Sequence, residues 1–425
     1  MNAVHVQRNI KIIMLAFVFI FAMKFFQSTP FERLFFQLQA IFLGLVFLFL
    51  LGYATTILLK KRQFNKVVLY YLLLIVIIPF YGAYRASIEF GQPFIYGFLS
   101  GRGWLLFGVG IWLYYILVTK KMTFKTMESA FAFMAWASFI IFSLFILTFD
   151  PSQLQSSEES SKFVLMTQDR GFRFKFQTYF ITFGAIYYFV KYSVRKNNID
   201  LIFLFLFLGY IVFVVQGRIY IMTLAVTFLL YYWFNYSLSR FALAMIKLLL
   251  FIFATLIIIQ IIMPDYLVRM GDLFAQMFTV LTGEESQDGS ANARIWQSLI
   301  VFDYFDAHPL SIWLGTGSVS NQWNDGYDSI FGYFYPADIG VFGGLFLYGI
   351  IGFVFLWLVP FIISVKTIKK VIDKQDIFMV AMKYLLIFML IRSVQGSLYF
   401  NIVEYSLPLF ILLAYMKMQV RRNAI

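Results

Sequence analysis

Eight arginines, Arg85, Arg102, Arg170, Arg173, Arg218, Arg269, Arg294 and Arg392, fall on one side of the apolar segments or at their edge. A guanidinium stays protonated and presents a planar fork of donors. It grips phosphate or carboxylate oxygens two at a time, which a lysine does not. Each arginine alone reads first as a surface or headgroup residue. Eight together point to a cationic chamber, because charge near a membrane turns toward protein interior or water-filled cavities. Three places stand out. Arg218 lies at a junction of two apolar runs separated by almost no loop. Arg294 lies in a long polar segment, and Asp338 lies where the chain re-enters an apolar run.

A second chemistry is written in "NQWNDGYDSIFGYFYP", residues 321–336. Trp323, Tyr327, Tyr333 and Tyr335 alternate with Asn321, Gln322, Asn324, Asp325 and Asp328. Aromatic faces stack on sugar rings, and carboxylates and amides bond to hydroxyls, so the mixture suits a carbohydrate surface. Aromatic belts at membrane interfaces have a similar composition, and both readings stand at this point.

The elements that position these residues are membrane helices. The 425-residue chain is 61% hydrophobic and only 13% charged, about half the charge of a soluble domain. A crossing helix takes roughly 20 mostly apolar residues. The sequence predicts an all-α polytopic membrane protein, one domain over 1–425, with about twelve spans near 10–27, 34–59, 66–84, 103–118, 129–149, 176–193, 199–215, 218–235, 241–263, 338–365, 377–395 and 399–416. No small-residue cleavage site follows the first run, so an anchor is expected there. Every second loop is basic, including Lys60-Lys61-Arg62, Lys120-Lys121, Arg195-Lys196, Lys369-Lys370 and Arg421-Arg422. That bias places both termini on the cytoplasmic side. The net charge of +13 is thus largely a topology signal facing an anionic leaflet, and no nucleic-acid partner is expected. There is no cysteine and there are two histidines, so thiolate and His-rich metal sites are excluded. No metal and no cofactor is expected. Lys383 is the clear charge deep in a span, placed to snorkel inward.

One outer loop, about 264–337, is far longer than its neighbours, and long loops are commonly functional. "PDYLVRMGDLFAQMFTVL" (264–281) carries apolar residues at helical spacing and predicts an amphipathic helix, lying on the membrane or packed on other helices. Ser290 or Asn292 is placed to cap a further helix that Pro309 ends.

"GRIYIMTLA" (217–225), "ARIWQSLIVFDYFDAHPLSIWLGTGS" (293–318) and "ADIGVFGGLFLYGIIG" (337–352) together resemble the bacterial O-antigen polymerase and ligase superfamily. The resemblance extends to the arrangement of nearly the whole chain, with a large outer loop between the ninth and tenth spans. It implies assembly of O-antigen, capsule or exopolysaccharide on undecaprenyl pyrophosphate at the outer face of the bacterial cytoplasmic membrane. A sugar hydroxyl of one lipid-linked unit would attack C1 of the growing chain, and lipid pyrophosphate would leave. In that reading Arg218 and Arg294 stabilise the departing pyrophosphate without a metal. Asp338 is the general base, with Asp303 or Glu404 in reserve. Arg170, Arg173, Arg392, Trp323, Tyr335 and Glu404 line the substrate path. The implied partners are undecaprenyl-pyrophosphate-linked oligosaccharides, the bilayer, a chain-length regulator and a flippase. Ligases of the superfamily commonly open the last motif with histidine. Here Asp338 occupies that place, and Gln216-Gly217 replaces the usual serine before the first arginine, which favours polymerase over ligase. A lipid-linked oligosaccharide flippase or transporter is the alternative outside the enzyme class. Structural roles stand beside each assignment: snorkelling for Arg218, a salt bridge to Asp303 or Asp306 for Arg294, a helix cap for Asp338, and mutual pairing for Arg392 and Glu404.

Overall fold

The computed structural model describes residues 3–27, 29, 31–60, 65–149, 164–167, 171–237, 239, 241–242, 246, 257, 289–371, 376–395 and 403–423. These residues are overwhelmingly helical. The first part comprises α1 (Ala3–Ala22), α2 (Glu32–Lys60), α3 (Lys66–Phe90), α4 (Phe94–Ser100), a 3-10 segment (Gly101–Phe107), α5 (Gly108–Val118) and α6 (Phe124–Thr148). An antiparallel pair, β1 (Val164–Thr167) with β2 (Gly171–Phe174), follows in the register Leu165 to Arg173. Then come α7 (Tyr179–Arg195), α8 (Asn198–Tyr210) with a π turn over Ile211–Val215, and α9 (Arg218–Asn235). The last part holds α10 (Gly289–Ala307), α11 (Pro309–Leu314), α12 (Asp328–Phe331), a 3-10 turn (Pro336–Ile339), α13 (Gly340–Phe353), a π turn (Val354–Leu358), α14 (Val359–Lys370), α15 (Ile377–Gln395) and α16 (Val403–Asn423).

Among the described residues, seven helical runs are long and apolar enough to cross a bilayer: Glu32–Thr56, Lys66–Phe90, Phe94–Val118, Phe124–Thr148, Asn198–Val215, Pro336–Lys370 and Ile377–Val394. A shorter apolar helix covers Tyr220–Asn235. The chain is a multi-pass helical membrane protein. The expected span at 241–263 lies outside the described residues apart from Phe241, Ala242, Ile246 and Ile257, and the amphipathic helix expected at 264–281 lies wholly outside them. The β pair was not anticipated; it occupies part of the medium loop around 150–175.

Local chemistry explains the helix starts. Asn65, Thr123 and Asn197 each accept a bond from a backbone N–H one turn into α3, α6 and α8. Each satisfies a donor that the first helical turn leaves unpaired. Lys383 Nζ donates to Val371 O at 3.2 Å.

Lipid tails are as apolar as leucine, so helices associate by close packing and hydrogen bonds rather than by escape from water. Of the chain's 55 phenylalanines, Phe19, Phe131, Phe180 and Phe183 meet in the interior mostly edge to face. Gly110 lets α5 press against α16; a Cβ there would stand 2.7 Å from Phe410 and 2.8 Å from Ser406 Oγ. Polar links cross the bundle as well. Tyr71 on α3 meets Tyr405 on α16 at 2.9 Å, and Tyr405 meets Ser364 on α14 at 2.6 Å. At the basic end, Lys191 pairs with the buried Asp200 at 2.8 Å. A second, separate core lies in the segment from α10 to α13. It gathers Val301, Val319, Tyr327, Phe334, Ile339 and Phe346 over Ala86 of α3.

Gly110→Leu drives a branched side chain into Phe410, and overpacking of this kind costs roughly 1–3 kcal/mol. Gly52→Leu, at a position with no atom near a new Cβ, is the control. Thermal unfolding in detergent should fall for the first variant and stay unchanged for the second.

Candidate functional site

The segment from α10 to α13 is seated on the end of α3 by a buried ion pair. "YRASIEF" puts Arg85 and Glu89 one helical turn apart, and their side chains meet at 2.8 Å, only 8% and 12% exposed. Arg85 Nε and Nη2 both donate to Gly315 O, at 2.9 and 2.8 Å. Glu89 Oε1 accepts from Tyr304 at 2.9 Å and from Ser311 Oγ at 2.6 Å. Tyr81 donates to Leu314 O at 2.5 Å. Gln92 extends the seam, accepting from Ser320 N at 2.7 Å. Burying two charges is costly unless every remaining donor and acceptor finds a partner, and this pair is well supplied. Burial and the bond to Glu89 push the Tyr304 phenol well above its ordinary pKa, so it stays a donor.

The same segment passes through a broken helix. Gly349 takes φ 65, ψ −177 in the middle of α13, which interrupts the hydrogen-bond ladder. Two carbonyls upstream of the break find replacements. Phe346 O accepts from Thr316 N at 2.8 Å, and Leu347 O from Gly317 N at 2.9 Å. Irregular backbone inside a membrane run is tolerated only when protein satisfies it, and here "GTGS" does so. Two glycines make the approach possible. A Cβ on Gly317 (φ 92) would stand 2.2 Å from Ala86 N, and one on Gly349 would stand 2.2 Å from Trp313 O.

Above this junction is a cavity of about 180 Å³. Its walls include Asn321, Asp325, Asp328, Tyr327 and Tyr335, five residues of the aromatic and amide stretch. Tyr335 donates to Asp328 Oδ2 at 3.0 Å, and that bond raises its pKa. Tyr335 N is also 3.4 Å from Oε1 of Gln297, which is buried on α10 one turn beyond Arg294. Tyr327 is fixed from both sides, its hydroxyl donating to Gly317 O at 2.7 Å and accepting from Val319 N at 3.3 Å. Trp323 is partly buried and packs on the second core rather than lining the cavity.

A second polar group gathers at the ends of α1, α7, α9, α15 and α16. Gln177 donates to Met23 O at 2.8 Å and to Glu404 Oε1 at 3.0 Å. Arg392 stacks over the Tyr220 ring at 5.2 Å, and Tyr220 reaches Thr178 O at 3.4 Å. Among the described residues the buried Tyr179 hydroxyl has no hydrogen-bond partner, and it lies within electrostatic reach of Glu404. Lys24 lies within reach of Glu404 and Arg102. Arg218 opens α9 two residues before Tyr220. The reversal ahead of it is made by Gln216, at φ 49, while Gly217 stays extended. The glycine is therefore not the residue in the left-handed conformation.

The expected site residues thus divide. Arg392 and Glu404 join the group near the head of Arg218's helix. Arg294, Asp338, Tyr335 and Trp323 belong to the segment docked on α3, where Arg294 and Asp338 are both exposed. Arg170 lies outside the described residues. Arg173 is placed by its strand backbone alone, and Arg218 by its helix backbone alone. Arg269 also lies outside the described residues. Among the described residues, no ion pair joins Arg392 to Glu404, or Arg294 to Asp303 or Asp306. Asp338 caps nothing with its side chain. Arg85 needs correction as a chamber arginine: its guanidinium is committed to Glu89 and Gly315 O. Glu89, Gln92, Gln177, Tyr179 and Lys24 were missed. Only Glu89 had a signal, its i, i+4 spacing from Arg85.

Glu89→Ala leaves Arg85 buried without its counter-ion, which costs roughly 3–5 kcal/mol. Glu89→Gln keeps the acceptor for Tyr304 and should lose less. Thermal unfolding should follow that order, and protease cleavage within 289–337 should rise in the same order.

No protein-family model matches the chain, and no curated protein matches it.

Proposed function

We propose that the chain is a polysaccharide polymerase of the bacterial cytoplasmic membrane, with both termini cytoplasmic and the long loop outside. It joins oligosaccharide repeat units carried on undecaprenyl pyrophosphate, for O-antigen, capsule or exopolysaccharide. The observation that supports this reading best is the mutual docking of two of the motifs that carry the resemblance. "GTGS" donates its backbone N–H groups to carbonyls within "GGLFLYGIIG", and a small cavity of carboxylates, an amide and phenols lies beside that seam.

In this mechanism the acceptor hydroxyl attacks C1 of the growing chain, and the C1–O bond to pyrophosphate breaks. The pyrophosphate leaves with the electron pair. Arg218 and Arg294 meet its negative charge, and Asp338 takes the hydroxyl proton. Arg170, Arg173 and Arg392 guide the lipid-linked phosphates, and Trp323 and Tyr335 hold sugar. Glu404, held by Gln177, is the reserve base. A ligase would move a finished chain to another acceptor. A flippase would move the substrate without making a bond.

Purified protein supplied with lipid-linked repeat units should produce a ladder of products. Arg218→Ala should slow extension roughly 10²–10³-fold, the usual effect of deleting one preorganised electrostatic contact. Arg218→Lys should recover only part of the rate. Full extension by Arg218→Ala at normal protein level would remove Arg218 from the mechanism. Transport into vesicles with no new bond would replace the polymerase by a flippase.

A further inference from the structure

The cavity beside Tyr335 has a charge that sets it apart from the rest of the chain. The protein carries +13, yet among the described residues no lysine or arginine lines this space. Asp325 and Asp328 do, and Asp338 lies within electrostatic reach of Tyr335 at its rim. Its volume of about 180 Å³ is below the roughly 300–1,000 Å³ typical of drug-sized sites, so it suits one ring rather than a chain segment.

The walls are held in place before any ligand arrives. Asn324, Asp325 and Gly326 take φ 46, 56 and 68 in succession. Three consecutive left-handed residues form a tight turn that closes on Asn321; a Cβ on Gly326 would stand 2.7 Å from Asn321 Oδ1. Tyr327 is bonded on both sides of its hydroxyl, and Tyr335 is tied to Asp328. Fixed walls lower the ordering cost of binding. Ionised carboxylates only accept, so they match hydroxyl donors and, better, an ammonium. They repel a carboxylate placed against them.

We infer that this cavity is a subsite for a single sugar ring that carries no acidic group, and that it favours a ring bearing a free amine. The inference rests on the polysaccharide reading for the class of ligand and deepens it by naming which sugars the site admits.

The test is ligand-observed NMR on the full chain in nanodiscs at about pH 6, where an amine is protonated. The probes are methyl glucosaminide, methyl glucoside and methyl glucuronide. The expected order of affinity is glucosaminide, then glucoside, then glucuronide, with the last at least roughly tenfold weaker than the first. Asp325→Asn and Asp328→Asn keep the shape, remove the charge and should compress that range. Thermal unfolding checks that each variant is folded, and Asp325→Asn on its own suffices if Asp328→Asn is not. Three results would overturn the inference: glucuronide binding as well as glucoside, no probe binding, or an order untouched by a folded Asp→Asn variant. The expected order without a product ladder would instead count against the polymerase and leave the sugar subsite standing.

Discussion

The ion pair between Arg85 and Glu89 is the interaction on which the seating of the segment from α10 to α13 depends. It lies near the C-terminal end of α3, where the macrodipole favours a cation. Its value comes from reach rather than from the pair alone. Through Gly315 O, Tyr304 and Ser311 it fixes three separate points of the segment from α10 to α13. It works beside the bonds from Tyr81 to Leu314 O and from Ser320 N to Gln92, which dock the same segment at the end of α3. Such a pair is a poor source of net stability, since hydrophobic packing of the same volume often does as well. What it supplies is a defined geometry for a segment whose own core is small.

The break at Gly349 is the second constraint. An unbroken helix over Pro336–Lys370 would be about 52 Å long, well beyond a hydrocarbon core of about 30 Å. Interrupting it leaves carbonyls that lipid cannot satisfy. The chain answers with the N–H groups of Thr316 and Gly317, so one irregular segment satisfies another. This ties the return into the membrane to the loop before it. It also brings Tyr327 and Tyr335 to the two sides of a single space. The arginine-bearing head of α9 belongs to a different cluster, built around Gln177, Glu404 and Arg392.

Much of this was readable from the chain itself. Apolar runs located the long membrane helices among the described residues, whereas Ser290 and Asn292, expected as caps, lie inside α10, which already begins at Gly289. Pro309 ended α10 as expected, because it cannot continue a helix whose carbonyls it would crowd. The carbohydrate-like stretch supplied the cavity walls, although Trp323 turned away to the core. Other features were hidden for physical reasons. The break at Gly349 has no local signature, since a glycine in an apolar helix is ordinary until another segment docks on it. The Gln177 bridge depends on contacts between residues 154 and 227 apart in sequence. Arg85 looked like the other seven arginines, and only its neighbour Glu89 marks it as a structural one.

The central claim is that the segment carrying the cavity is held on the outer face, opposite the basic loops. The chain has no cysteine, so single substitutions report position without background. Ser329→Cys stands on the exposed surface of α12, and Thr119→Cys in the exposed basic turn after α5. The decisive measurement is labelling of intact cells with a membrane-impermeant maleimide. The account predicts that Ser329→Cys is labelled at once and Thr119→Cys only after permeabilisation. The reverse pattern, or equal labelling of both in intact cells, would contradict it.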